Sequence, residues 1–148
     1  MSLFTTNEIN PMRNSIYLSL AILFISIACQ EGSPVSQPEI KDESGLIKVT
    51  IMYPNEENGT FDMDYYKNSH MPMLAELFGD AMIQYKIDNG LAARDPEEPV
   101  PFLAIGYLYF EKLRDYQNAF GPNAEQILGD IPNYTNIRPI VQISEVIK

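Results

Sequence analysis

The sequence is poor in the residues from which most metal and cofactor sites are built. One histidine and one cysteine in 148 residues exclude the usual all-Cys/His zinc or iron–sulfur centre. A single thiol also rules out any disulfide within the chain. No Gly-x-Gly-x-x-Gly and no Walker-type loop occurs, so a self-contained nucleotide or dinucleotide site is not expected. Bases are scarce as well: 10 lysines and arginines stand against 20 acidic residues, giving a net charge of −10. A protein that tracks nucleic-acid phosphates needs a basic face, and this chain has no surplus from which to make one. The main apolar run, residues 16–28, falls short of the roughly 20 residues that cross a bilayer as a helix.

That short run has a different meaning. Arg13 precedes it and Cys29 follows it, the order expected of a signal-peptide hydrophobic region. Ser26-Ile27-Ala28-Cys29 resembles the bacterial lipoprotein signal, in which a peptidase cuts before a lipid-modified cysteine. Ala28 suits the cleavage position, whereas Ser26 departs from the usual aliphatic residue. Residues 1–28 are therefore expected to be a signal peptide, with Met12-Arg13-Asn14-Ser15 the more natural start. An uncleaved anchor or an ordinary buried thiol at Cys29 are the alternatives. Residues 29–45 supply a tether rich in Ser, Pro, Gly and charge, with too little apolar surface to fold. About 16 residues of such coil span on the order of 20 Å. The expected location is the cell envelope, with the membrane held through the lipid alone. Cleavage would remove Glu8 and Arg13 together, leaving a net charge that anionic lipid repels.

The folded domain is expected over 46–148. Ile47 to Tyr53 alternates and stops at Pro54, as a strand does. Asn55 to Gly59 is turn chemistry, after which Thr60 or Asp62 caps a helix. Met63, Tyr66, His70, Leu74 and Leu77 share one face of that helix. Pro72 should kink or restart it, because its ring clashes with the Asn68 carbonyl and disfavours helix at Met71. Met82 to Asp88 and Phe102 to Phe110 read as two further strands. Leu113 to Phe120 reads as a helix, punctuated by Gly121-Pro122 and resuming through Ile131, and Ile137 to Val146 as the last strand. The order β-α-β-β-α-β is the ferredoxin-like α+β plan. Its helices cover only one sheet face, yet Phe102 to Phe110 is apolar on both. The uncovered set predicts a partner sheet, most simply from a second copy in a two-fold dimer.

Several of these segments together carry a family resemblance. Phe61-Asp62-Met63-Asp64-Tyr65-Tyr66 and His70-Met71-Pro72 are followed by Ile105-Gly106-Tyr107-Leu108-Tyr109-Phe110. Phe120-Gly121-Pro122 and Gly129-Asp130-Ile131-Pro132-Asn133-Tyr134-Thr135-Asn136 complete the set. This series resembles the EthD-like family of the dimeric α/β-barrel superfamily, over about residues 46–148. The resemblance implies a barrel formed by two subunits and a small aromatic or carbonyl ligand between sheet and helices. Relatives in the superfamily include cofactor-independent monooxygenases, polyketide cyclases and lactone isomerases. Short members are often labelled EthD family reductases, after a gene associated with ethyl tert-butyl ether degradation. Asn123 stands where similar sequences often have histidine after Gly-Pro.

The candidate site centres on His70, whose ordinary pKa is the only one near neutrality. Four residues after Tyr66, it lies on the same helical face. There it could take a proton from an activated carbon or hydroxyl, with Tyr66 as catalytic partner. Tyr53, Tyr107 or Tyr134 could hold a developing oxyanion. The competing reading has His70 merely capping a freed carbonyl, and the tyrosines as core or rim residues. Asp130 is a candidate substrate-binding acid, or else a turn cap. Asn133 and Asn136 are expected to satisfy loop backbone. Met63, Met71 and Met73 read as adaptable core filler, and no metal site is expected. No residues are dedicated to a cofactor; reductase chemistry would need flavin, nicotinamide or another protein as electron source. Two functions follow. One is a small-molecule enzyme, by cofactor-independent acid/base or oxidoreductase chemistry; the other is a lipid-anchored, non-catalytic binding or dimerisation module.

Overall fold

The structure, a computed structural model, describes residues 42–148. The expected signal peptide, the cleavage site and Cys29 lie outside the described residues. Strand β1 (Ile47–Pro54) alternates as its sequence demands, burying Val49 and Tyr53 toward the helices. A three-residue helix, α1 (Met63–Tyr65), leads through a π turn (Tyr66–His70) into α2 (Met71–Phe78). Strands β2 (Met82–Asn89) and β3 (Phe102–Phe110) follow, then α3 (Leu113–Asp130) and β4 (Ile140–Glu145). The sheet order is β2-β3-β1-β4, with every neighbouring pair antiparallel. This is the ferredoxin-like α+β arrangement.

Register decides which residues meet the helices. Val49 pairs with Leu108 and Ile143, and Tyr53 with Ala104. Partners directly opposite share a face, so Leu108 and Phe110 join Val49 and Tyr53 in the core beneath Met71, Leu74, Phe78 and Ile127. One position on β3 must be glycine. A Cβ on Gly106 would lie 2.1 Å from the Tyr66 hydroxyl, so the bare backbone is what admits that ring.

One proline expectation needs correction and one refinement. The chain does not leave helical geometry at Pro72 but restarts there as α2 after a π turn, in line with the expected restart. Asp62 caps the start of α1, accepting from the Tyr65 N–H at 2.9 Å. The backbone then widens by one residue, so that the Met71 N–H reaches the Tyr66 carbonyl five residues back. The wider turn takes in a residue that lacks an N–H and would otherwise clash one turn earlier. Pro122 does not interrupt α3 either. The side-chain amide of Asn123 donates to the Ala119 carbonyl at 2.8 Å and to the Leu77 carbonyl at 3.3 Å. It thereby ties α3 to the end of α2 just beyond Pro122.

The outer sheet face is less bare than its sequence suggests. Lys86 lies over the Tyr109 ring and Lys48 over the Tyr107 ring. Glu43 reaches Lys86 and Gln84, so ordered contacts begin slightly before Leu46. Large exposed apolar groups gather instead on β4, where Ile140 and Val141 are 53% and 51% exposed. This strand is shorter than the predicted 137–146. Pro139 offers no N–H to the ladder, and Ile137 turns into the core.

Candidate active site

His70 closes the π turn and is buried, only 3% exposed. Its ring stacks on Tyr66, with centroids 5.5 Å apart and planes at 18°. Nδ1 meets Asp130 Oδ2 at 2.7 Å. Asp130 is the last residue of α3 and comes to His70 because the two helices pack side by side on one sheet face. Its other oxygen accepts from the Tyr65 hydroxyl at 2.9 Å and from Asn133 Nδ2 at 2.8 Å. The carboxylate is thus held on both sides. The Asp130 side chain caps no turn; it takes three hydrogen bonds within the protein, one of which orients the imidazole. Asn133, expected to serve loop backbone, serves this carboxylate instead, while Asn136 bonds the backbone of Asn58 and Thr60 as expected.

The far side of the ring carries the accepting lone pair. With ionised Asp130 accepting at Nδ1, the proton resides there and Nε2 is the acceptor. The Tyr134 hydroxyl lies 3.3 Å from Nε2, and the Tyr53 hydroxyl 2.7 Å from that of Tyr134. The consistent direction is Tyr53 donating to Tyr134, Tyr134 to His70, and His70 to Asp130. Tyr134 is set in place by stitching across the chain. Its carbonyl accepts from the Asp62 N–H at 2.7 Å, Phe61 bridges to Thr135, and the Thr135 hydroxyl donates to the Thr60 carbonyl at 2.7 Å.

Burial lowers the pKa of His70, and the hydrogen bond and charge of Asp130 only partly offset this. The ring is therefore held in its neutral form. For Asp130 burial works upward, but hydrogen bonds from His70, Asn133 and Tyr65 outweigh it and hold the carboxyl below its usual range. Burial raises the Tyr53 and Tyr134 phenols far above ordinary values, so both remain donors.

Tyr53, His70 and Tyr134 line one cavity of about 100 Å³ between sheet and helices. The remaining wall is apolar, including Leu74, Leu108, Ile127 and Val141. Two predicted residues stand elsewhere. Tyr107 alternates to the outer face of β3, where its hydroxyl donates to Asp88 at 2.8 Å. It cannot reach the cavity, since a one-residue step along a strand reverses the face. Tyr66 is wholly buried, but its hydroxyl points at Gly106 and forms no hydrogen bond with the described residues. Its ring supports the imidazole; its oxygen does not line the cavity. Tyr65 and Asn133 are the participants that sequence reading missed. Their only signal is spacing, with Asn133 three residues beyond Asp130 and so on the same helical side. Among the described residues no group of three or more His, Cys, Asp or Glu could hold a metal. Nor is any helix there long and apolar enough to cross a membrane.

Comparison with known proteins agrees with this architecture. No curated protein matches the chain. Among solved structures, an EthD-like protein from Ralstonia eutropha JMP134 is 39% identical and superposes with a TM-score of 0.68. The match covers 71% of this chain and 95% of that one. An ethyl tert-butyl ether d (EthD) family protein from Bacillus halodurans C-125 is 15% identical, at a TM-score of 0.48, covering 68% and 97% respectively. The EthD domain profile matches residues 60–137, a span that holds the π turn, His70, Asp130 and Tyr134, and so the chain belongs to the EthD family.

Proposed function

We propose that this domain is a cofactor-independent acid/base enzyme acting on a small carbonyl or aromatic compound, with His70 as the proton carrier. The observation that carries the reading is the ordered series Asp130–His70–Tyr134–Tyr53 ending at an apolar cavity. A ketone oxygen entering that cavity can take the Tyr134 O–H in place of Nε2, which leaves the Nε2 lone pair free while Tyr53 goes on donating to Tyr134. The α-carbon gives a proton to Nε2, directly or through the Tyr134 hydroxyl, and the C–H electron pair moves into the enolate. Asp130 stabilises the imidazolium that forms, while Tyr134, itself accepting from Tyr53, donates to the enolate oxygen. Returning the proton to the same or a neighbouring carbon completes an exchange or an isomerisation without a co-reactant.

The test is solvent exchange. Small cyclic ketones incubated in deuterated buffer should lose α-protons, followed by NMR, faster with protein than with buffer alone. His70→Gln should slow the protein-dependent rate by about a hundredfold or more. Equal rates for His70→Gln and the wild type would sink the proposal.

A second reading has some support. The phenol series satisfies its own hydrogen bonds, and about 100 Å³ is below the usual volume of ligand pockets. Both features suit a binding module that performs no chemistry. In either reading we propose lipidation at Cys29 and a homodimer, the latter supported by the exposed Ile140, Val141 and Ile143 on β4.

A further inference from the structure

The cavity beside His70 abuts a second, wider space. A wide groove of about 1020 Å³ runs between the segment Thr60–Asp64 and the segment Ile131–Pro139. The two spaces share Leu128, Ile131, Tyr134 and Pro139 as lining. Leu128 is 55% exposed on α3 and gives this groove an apolar wall. Met63 adds apolar surface opposite. Asp62 and Asp64 line the same groove and outnumber Arg138, so a carboxylate tail would be repelled. The cavity itself holds only about three waters' worth of liquid volume. A molecule large enough to bind well must extend beyond it, and the groove is where it would go.

We infer that the ligand is bipartite: a small oxygen-bearing head seated against Tyr53, Tyr134 and His70, and a neutral aliphatic tail lying along the Met63–Leu128 groove. This rests on the enzyme reading above and specifies its substrate class as small ketones or phenols carrying an alkyl chain. Phenols suit the test because a phenol is a permanent enol and cannot turn over. Calorimetric titration with phenol, then para-ethyl-, para-butyl- and para-hexylphenol, should show affinity rising about fourfold per added methylene. Leu128→Glu should flatten that dependence, and Met63→Glu, at a residue that lines the groove alone, should do so while leaving the affinity for phenol itself within about twofold. Met63→Ser should reduce the dependence without abolishing it. The outcomes separate the two claims. If phenol binds and perturbs the His70 ring resonances but longer chains gain nothing, the tail site is refuted and the enzyme reading stands. An undiminished dependence in Leu128→Glu likewise refutes the groove. If phenol itself leaves the His70 resonances unmoved, the head site fails, and the tail proposal fails with it.

Discussion

At the scale of single residues, the interplay of His70 and Asp130 sets a definite pH response. Burial lowers the imidazole pKa from its ordinary 6.5, so on acidification the unfolded chain takes up this proton first. Stability is therefore full above about 6.5 and declines as pH falls through the lowered folded value. Asp130 adds a second decline below its ordinary 3.8, because its folded-state pKa is also lowered. The ring gives the only histidine NMR signal, so its titration can be followed without assignment; it should fall below 6.5. Asp130→Asn should lower it further, since the carboxylate is what partly offsets burial, and should reduce the deuterium-exchange rate. A histidine pKa that rises in Asp130→Asn would contradict the geometry described. A second residue-scale expectation concerns Gly106. Gly106→Ala should destabilise the domain by about 1–3 kcal/mol through overpacking against Tyr66. Tyr66→Phe alone should be neutral or stabilising, because its buried hydroxyl lacks a hydrogen-bond partner among the described residues. In Tyr66→Phe the alanine should cost less, and chemical denaturation of the four variants would measure that coupling.

Among the elements, the π turn is the one whose shape bears on chemistry. Pro72→Ala restores an N–H and removes the clash that favours the wider turn. We expect stability to change by under about 1 kcal/mol or to rise. The His70 pKa should nevertheless move and exchange should fall, because a relaxation to regular α-helix rotates His70 away from Asp130. Unchanged titration and exchange in Pro72→Ala would show that other packing holds the turn. This element also marks where sequence reading stops. The strands were legible because alternation and Pro54 are local signals, and so was the shared face of Tyr66 and His70. The response to Pro72 was not, since a proline's clash can be met by a kink or by a wider turn, and only packing chooses. The face of Tyr107 was undecided for the same reason: β3 is apolar on both sides, so nothing local fixes its orientation. Asp130 reaches His70 across 60 residues of sequence, a contact that depends on helix packing rather than on any motif.

For the molecule as a whole, the uneven distribution of apolar surface leads to an expectation about assembly. Charged stems and hydrogen-bonded tips cover part of the outer sheet face, whereas β4 presents Ile140, Val141 and Ile143 at an edge. Ile140→Lys should shift sedimentation toward the monomer if this strand lies in the proposed dimer interface. A wild-type chain that sediments as a monomer at micromolar concentration would remove the dimer. The stitching of Thr60–Asp62 to Tyr134–Thr135 has a consequence at the same scale. Within the stitched strip Tyr134 both lines the hollow and supplies the phenol bonded to the imidazole. Swinging that strip outward to admit a visitor would withdraw the phenol, breaking the proton path while the door stands open. Admission and reaction would then take turns, each forbidding the other, with bulk solvent shut out whenever the path is whole.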